Sequence, residues 1–202
     1  RPQVDGIIKE RSFIEGSFIE AGSQLYQIDS TIYEATYESA QANLQSVAAK
    51  KGRYESLLKL QAISKQEFDD VLASLSQAEA AVKTAKANLD YTKVYAPISG
   101  YIGKSNITSG ALVNANQSQI LTTITQLDPI YADILIPVKD SMKFRSQTEF
   151  PLILVINGKE YKHSGILKFA EMFADETTDS ILMRATFPNP DRELVSGMFV
   201  NT

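Results

Sequence analysis

Residues 31–93 read TIYEATYESA QANLQSVAAK KGRYESLLKL QAISKQEFDD VLASLSQAEA AVKTAKANLD YTK. In the second half, Phe68, Val71, Leu75, Ala78, Val82, Ala85 and Leu89 follow one another at steps of three and four, the spacing of a coiled-coil a/d seam. The first half carries a matching seam at Tyr33, Tyr37, Ala40, Leu44, Val47, Tyr54 and Leu58, interrupted only by Lys51. Thr31 with Glu34, and Ser64 with Glu67, have capping-box spacing. The break around Leu60 to Ile63 is short enough to force antiparallel neighbours. At 1.5 Å per residue each helix is roughly 40 Å long, so the stretch predicts a rod with a tip and two sides and little concave surface for chemistry. Gly52 inside the first helix costs up to about 1 kcal/mol relative to alanine, and both a local bend and a tolerated defect fit it. Asp69-Asp70 is expected in the first turn of the second helix, where negative charge suits the helix dipole.

The chain has 202 residues, 44% hydrophobic and 22% charged, which is globular composition and room for one or two domains. A net charge of −4 argues against general nucleic-acid binding, which needs a basic surface. There is no cysteine, so disulfides and thiolate metal sites are excluded. No apolar run approaches the roughly 20 residues that span a bilayer. Arg1-Pro2-Gln3 looks like a start inside a domain, so upstream segments are expected to be missing.

Working outward, short apolar runs punctuated by glycine precede the rod: Val4 to Ile8, Gly16 to Ile19 and Gly22 to Ile28. After it, Ile98 to Ile102 echoes Val4 to Ile8, and Gly110 to Val113 echoes Gly16 to Ile19. Gly6 to Gly16 and Gly100 to Gly110 have the same separation, the mark of an internal repeat split by the rod. Two halves that cannot each bury an apolar face are expected to pair into one small β-domain. Beyond it, Ile130 to Val138, Phe150 to Asn157, Glu160 to Phe169 and Ser180 to Phe187 are β-rich, with Asn157-Gly158 as a hairpin signal.

Val94-Tyr95-Ala96-Pro97-Ile98-Ser99-Gly100 resembles the second half of a lipoyl/biotinyl domain. Tyr91 to Ser105, Leu25-Tyr26-Gln27-Ile28-Asp29, Gly110-Ala111-Leu112-Val113 and Leu127-Asp128-Pro129-Ile130-Tyr131 together resemble the periplasmic adaptors, or membrane fusion proteins, of RND-type tripartite multidrug efflux pumps. Phe187-Pro188-Asn189-Pro190-Asp191 and Gly197-Met198-Phe199-Val200 look like that family's β-barrel domain. Two positions depart from the family pattern, Ser196 and Ser30, where proline is usual. The resemblance implies an elongated α+β chain: a lipoyl-like β-domain in two half-motifs (1–30 and 94–127), an antiparallel coiled-coil hairpin inserted between them (31–93), and an incomplete β-barrel domain (128–202). It also implies that a membrane-proximal domain and an inner-membrane anchor lie outside the chain, that the location is periplasmic, and that the partners are an RND inner-membrane transporter, a TolC-like outer-membrane channel and further copies, six in family assemblies. Hinges are expected near Ser30 and Lys93 and near Leu127 to Pro129. An adaptor of an ABC-type exporter or type I secretion system is the close alternative.

In adaptors that dock on TolC-like channels, the tip carries an Arg, a Leu four residues on and a Ser seven beyond; here these are Arg53, Leu57 and Ser64. Arginine offers a multi-donor anchor and leucine an apolar knob. Ser64 also reads as an ordinary N-cap, whose loss costs about 1 kcal/mol on that ground alone, and Leu57 as ordinary packing beside Leu58. The heptad f positions are all small: Ala35, Ala42, Ala49 and Ser56, then Ala73, Ala80 and Ala87. They fit either adaptor–adaptor packing or simple helix propensity. Lys50, Lys51 and Arg53 form a basic cluster that reads as a solvated face or as a complement to an acidic channel mouth.

No catalytic residue, cofactor or metal is expected. A swinging-arm carrier needs a modifiable lysine where the hairpin now stands. His163, the only histidine, is expected on a strand edge with nothing to join it on a metal. Asp175-Glu176-Thr177-Thr178-Asp179 lacks the spacing of an EF-hand and reads as a solvated turn. There is no G-x-S-x-G, phosphate loop or H-E-x-x-H. A metal-transfer protein or an enzyme built on a β-barrel finds no support in four scattered methionines and one histidine.

Overall fold

The computed structural model describes residues 1–115, 117–141, 150–156, 158–170 and 179–200. It divides into two compact units, Arg1–Ile124 and Thr125–Thr202.

In the first unit, helices α1 (Thr31–Lys59) and α2 (Lys65–Asp90) pack along their seams. On α2 the d positions Val71, Ala78 and Ala85 are buried, and the a positions Phe68, Leu75, Val82 and Leu89 are half-buried. On α1 the half-buried residues are the seam positions with Lys51 and Glu55, and none is fully buried. A pair of helices shares one seam and has no third layer to close it. Lys51 keeps the seam by bonding along its own helix, Nζ to Glu55 Oε2 at 2.6 Å. Residues from the start of α1 (Thr31, Ala35) and the end of α2 (Thr84, Asn88) line one shallow groove, so the helices run antiparallel. Helix α1 continues through Gly52.

One expected cap forms and one does not. At α2, Ser64 Oγ accepts from Glu67 N (3.2 Å) and Glu67 Oε2 accepts from Ser64 N (2.7 Å), a complete capping box. Asp69 and Asp70 fall beyond the first turn, which holds Glu67 alone among acidic residues. At α1 the N-cap is Ser30 with helical backbone and no side-chain cap bond, so the Thr31–Glu34 box is absent. The N–H of Glu34, which the box needs as donor to Thr31 Oγ, closes a helical bond to Ser30 O instead (2.8 Å), while the Thr31 hydroxyl and N–H both donate to Asp29 Oδ1 (2.7 and 3.0 Å). Ser30 Oγ donates to Glu34 Oε1 at 2.6 Å.

Asp29 also pairs with Lys9 at 3.0 Å. The Thr31 hydroxyl first, then the Thr31 N–H and Lys9, hold its carboxyl down from 3.8 to about 2. A lowered folded-state value stabilises above pH 3.8, and that contribution fades as pH falls through 2. Asp29→Asn is therefore expected to narrow the gap between melting temperatures at pH 6 and pH 2.5; an unchanged gap overturns this reading.

The strands before the hairpin are β1 (Gly6–Arg11), β2 (Phe18–Ile19) and β3 (Gln24–Ile28). Those after it are β4 (Lys93–Tyr95), β5 (Gly100–Ile102), β6 (Leu112–Val113) and β7 (Ile124–Thr125). They form two sheets, β4-β3-β1-β6 and β2-β5-β7, each mixing strands from both sides of the hairpin. The repeat is a two-fold exchange. Gly6 pairs with Val113 and Ile7 with Leu112; Gly100 pairs with Ile19 and Tyr101 with Phe18. Gly110 N donates to Ile8 O and Gly16 N to Ile102 O, both at 2.8 Å. Shifting each residue by 94 turns one set into the other. Gly16 and Gly110 take φ of 79° and 89°, which suits glycine and explains why the repeat is punctuated there. Ile8, Ile102, Tyr26, Ile28, Val113 and Leu121 fill the shared core. Both hairpin ends leave from the adjacent strands β3 and β4, where Gln27 pairs with Lys93.

The second unit contains β8 (Ile130–Pro137), a short helix α3 (Val138–Ser141), β9 (Phe150–Leu152), β10 (Val155–Ile156), β11 (Lys159–Glu160), β12 (Gly165–Ala170) and β13 (Ser180–Phe187). The sheet order is β8-β13-β12-β9, with β10-β11 as a separate hairpin. Gly158 in its turn has φ 78°, and Asn157 lies outside the described residues. The expected single strand from 150 to 157 is two, because Leu154 turns inward to full burial between them while its carbonyl accepts from Tyr161 N at 2.7 Å. Pro151 sits on the edge strand β9, where a missing N–H costs no ladder bond. The expected strand from 160 to 169 is likewise broken: His163 lies in a bend before β12, not on a strand. Phe187, Ala185, Leu154, Tyr161 and Leu194 form the core of this unit.

Candidate functional site

The end of the hairpin is built by two local motifs. Helix α1 stops in a Schellman turn: Ala62 N donates to Leu57 O (2.9 Å) and Gln61 N to Leu58 O (2.9 Å). Gln61 holds the left-handed position at φ 57°, which costs a non-glycine residue about 1 kcal/mol. Two residues later the capping box starts α2, and its hydrogen bonds from Ser64 N and then Ser64 Oγ hold the Glu67 carboxyl below its ordinary range.

On this frame Arg53 and Leu57 stand one turn apart on α1, and Ser64 lies across the turn. Arg53 is exposed and no ion pair joins it to the described residues. Leu57 is 38% exposed, so it is not ordinary seam packing like its neighbour Leu58. Ser64 is exposed, with its hydroxyl engaged in the cap. Sequence reasoning missed Leu60. It is 76% exposed at the C-cap of α1, among the most exposed large apolar residues of the hairpin. Its only signal was a leucine inside the break, where no periodicity assigns a face. Beside the tip, Glu55 accepts from Lys51 and lies 3.6 Å from Lys59 Nζ; these lysines, Lys51 first, hold its carboxyl below the ordinary range. The basic cluster is thus partly neutralised within α1, leaving Arg53 as the outward cation beside Lys50, whose Nζ lies 5.3 Å from the Tyr54 ring centroid.

On the sides, Ala35, Ala42, Ala49, Ser56, Ala73 and Ala80 are exposed, whereas Ala87 is half-buried one turn before the helix enters the β-strands. Of these f positions only Ala35 lines the groove along the hairpin base. The rest of that groove mixes the seam alanines Ala40 and Ala85 and the exposed Ile32 with residues heptad counting had not singled out, such as Ser39, Asn43, Ala81 and Asn88.

His163 is edge-on to Tyr161 (centroids 5.5 Å apart), and its Nε2 lies 3.9 Å from Asp191 Oδ2. Among the described residues no three His, Cys, Asp or Glu side chains are placed to hold a metal. Residues 175–178 of the acidic stretch lie outside the described residues. No described helix is long and apolar enough to cross a membrane. What the tip exposes is a guanidinium with no ion-pair partner among the described residues, two leucines and a capped turn.

The barrel-sandwich hybrid domain model of RND membrane fusion proteins matches residues 1–125, and the β-barrel domain model of the same proteins matches residues 129–202. The solvent efflux pump periplasmic linker SrpA of Pseudomonas putida is 46% identical over 214 residues, covering 100% of this chain and 56% of its own length. The multidrug efflux pump subunit AcrA of Escherichia coli is 46% identical over 225 residues, covering 99% of this chain and 57% of its own length. The chain thus spans about half the length of the curated relatives it matches. A crystal structure of a MacA–MexA chimera carrying the Pseudomonas aeruginosa MexA α-hairpin superposes with a TM-score of 0.78 at 29% identity, over 98% of this chain and 70% of that one. With both family models in order along it and relatives 46% identical across it, this chain belongs to the RND membrane fusion proteins.

Proposed function

We propose that this chain is the core of the periplasmic adaptor of an RND-type multidrug efflux pump. It links an inner-membrane transporter to a TolC-like outer-membrane channel through the hairpin tip and helps seal the conduit, with no catalytic step of its own. The tip carries the reading: Arg53 unpaired and exposed, Leu57 exposed beside it, and Ser64 fixed across a doubly capped turn. Such a tip presents a preorganised set of side chains to a helical partner. Residues 1–30 and 94–127 are read as a split lipoyl-like domain, 31–93 as its inserted coiled-coil hairpin, and 128–202 as part of a β-barrel domain. The protein works in the periplasm, held at the inner membrane by a segment outside these residues. The relatives' description as efflux pump periplasmic linkers supports the assignment.

Residues 1–202 contain no cysteine, so Leu57→Cys places a single thiol within them. Crosslinking to a co-expressed outer-membrane channel is expected from position 57 and not from Ser76→Cys on the side of α2. Equal yields from both, or none from 57, overturn the assignment.

Copies are proposed to pack side by side, six in a ring, through Ala35, Ala42, Ala49, Ala73, Ala80 and, at the base, Ala87. Small side chains let a neighbouring helix approach closely. Ala42→Lys with Ala80→Lys is expected to leave helicity unchanged and weaken self-association in the assembled pump. Unchanged assembly would mean that these alanines serve helix propensity alone.

A further inference from the structure

The loop after β13 carries Phe187-Pro188-Asn189-Pro190-Asp191, a motif the docking role does not use. Asn189 is fully buried, at 0% exposure. Its Nδ2 donates to Leu127 O (3.0 Å) and Leu194 O (2.8 Å). Its Oδ1 accepts from Leu194 N (3.1 Å) and from the Tyr161 hydroxyl (3.3 Å). Both donors of the carboxamide are used, Oδ1 accepts fully from Leu194 N, and it shares the single Tyr161 proton with Pro188 O, which lies nearer at 2.9 Å. The backbone N of Asn189 donates to Asp128 Oδ1 at 2.8 Å. Closing the loop on itself explains the two bonds to Leu194. It does not explain the two that reach back some sixty residues to Leu127 and Asp128, where the second unit begins.

On the other side, β7 ends at Thr125 and is held in its sheet by β5. Between that strand and the grip on Leu127 only Gln126 is left, and its own Nε2 donates to Asp128 O at 3.2 Å. The hinge expected at Leu127 to Pro129 is therefore already fastened at Leu127 and Asp128. We propose that Asn189 is a positioning residue for the joint. It holds Leu127 and Asp128 within the second unit, so that reorientation of one unit against the other is confined to the backbone around Gln126. A buried polar hub with both amide donors engaged is well suited to this, since each of those bonds lost leaves a buried group unsatisfied. The proposal concerns the mechanics of this chain and stands apart from what the hairpin tip binds.

The test uses the cysteine-free chain with spin labels at Lys104→Cys and Lys159→Cys, two exposed sites on different units. Asn189→Ala is expected to at least double the width of the inter-label distance distribution. Asp128→Ala, which cuts the linker side without touching the loop's own bonds, is expected to broaden it too. Asp128→Asn, which keeps the accepting Oδ1, and Tyr161→Phe, which cuts only the loop side, are expected to keep the parent width. Where Asn189→Ala fails to fold, the contrast between Asp128→Ala and Asp128→Asn decides. Parent width in Asp128→Ala, or equal broadening in Tyr161→Phe, overturns the proposal.

Discussion

Gly165→Ala is expected to destabilise the second unit by about 2–3 kcal/mol, the cost of forcing a methyl group into a packed core. Gly165 opens β12, and a Cβ built on it would fall within the Phe187 ring. That ring is at 0% exposure in the core with Leu154, Tyr161 and Leu194, so it has nowhere to retreat. The reason for glycine is space, since its φ is not in the left-handed region. Denaturant unfolding measures the loss, and Gly165→Ala combined with Phe187→Leu should recover part of it. A loss below about 0.5 kcal/mol would mean that the ring moves freely, contrary to the packing described. Gly52→Ala provides the opposite sign. Nothing lies near a Cβ there, and alanine inside a helix is favoured over glycine by up to about 1 kcal/mol.

Arg53→Asp is expected to weaken capture of the outer-membrane channel at least tenfold, about 1.4 kcal/mol, while leaving the fold intact. The guanidinium is exposed and contributes no ion pair to the described hairpin, so folding stability should move by no more than about 0.5 kcal/mol. Replacing Ser64 is a poorer probe. Its hydroxyl and backbone N–H complete the capping box, so the loss of binding would be mixed with a frayed helix start. Co-purification of the full-length variant with the channel, set beside its thermal melt, separates the two effects. A variant that still assembles a working pump would remove Arg53 from the docking surface.

The hairpin was legible because a helix seam is a one-dimensional pattern: steps of three and four place every side chain on a known face, and those faces are the half-buried ones. The glycine repeat was legible for a similar reason. Gly16 and Gly110 occupy the same positive-φ turn, a local demand that recurs in the sequence. The Ser64 cap follows from four consecutive residues. Arg53, Leu57 and Ser64 were picked out by resemblance, with no pattern in the residues that separates docking from packing. Tertiary structure decided what depends on competition or distant contact. The Glu34 N–H went to Ser30 O and not to the expected Thr31 cap, and Leu154 broke a strand by turning into the core. Leu60 was left in solvent, Gly165 was needed for a ring that follows it by 22 residues, and Asn189 bonded to residues some sixty positions upstream. Periodicity encodes which side of an element faces inward. It carries no information about which of several acceptors wins a proton, or which distant side chain arrives in the same few ångströms.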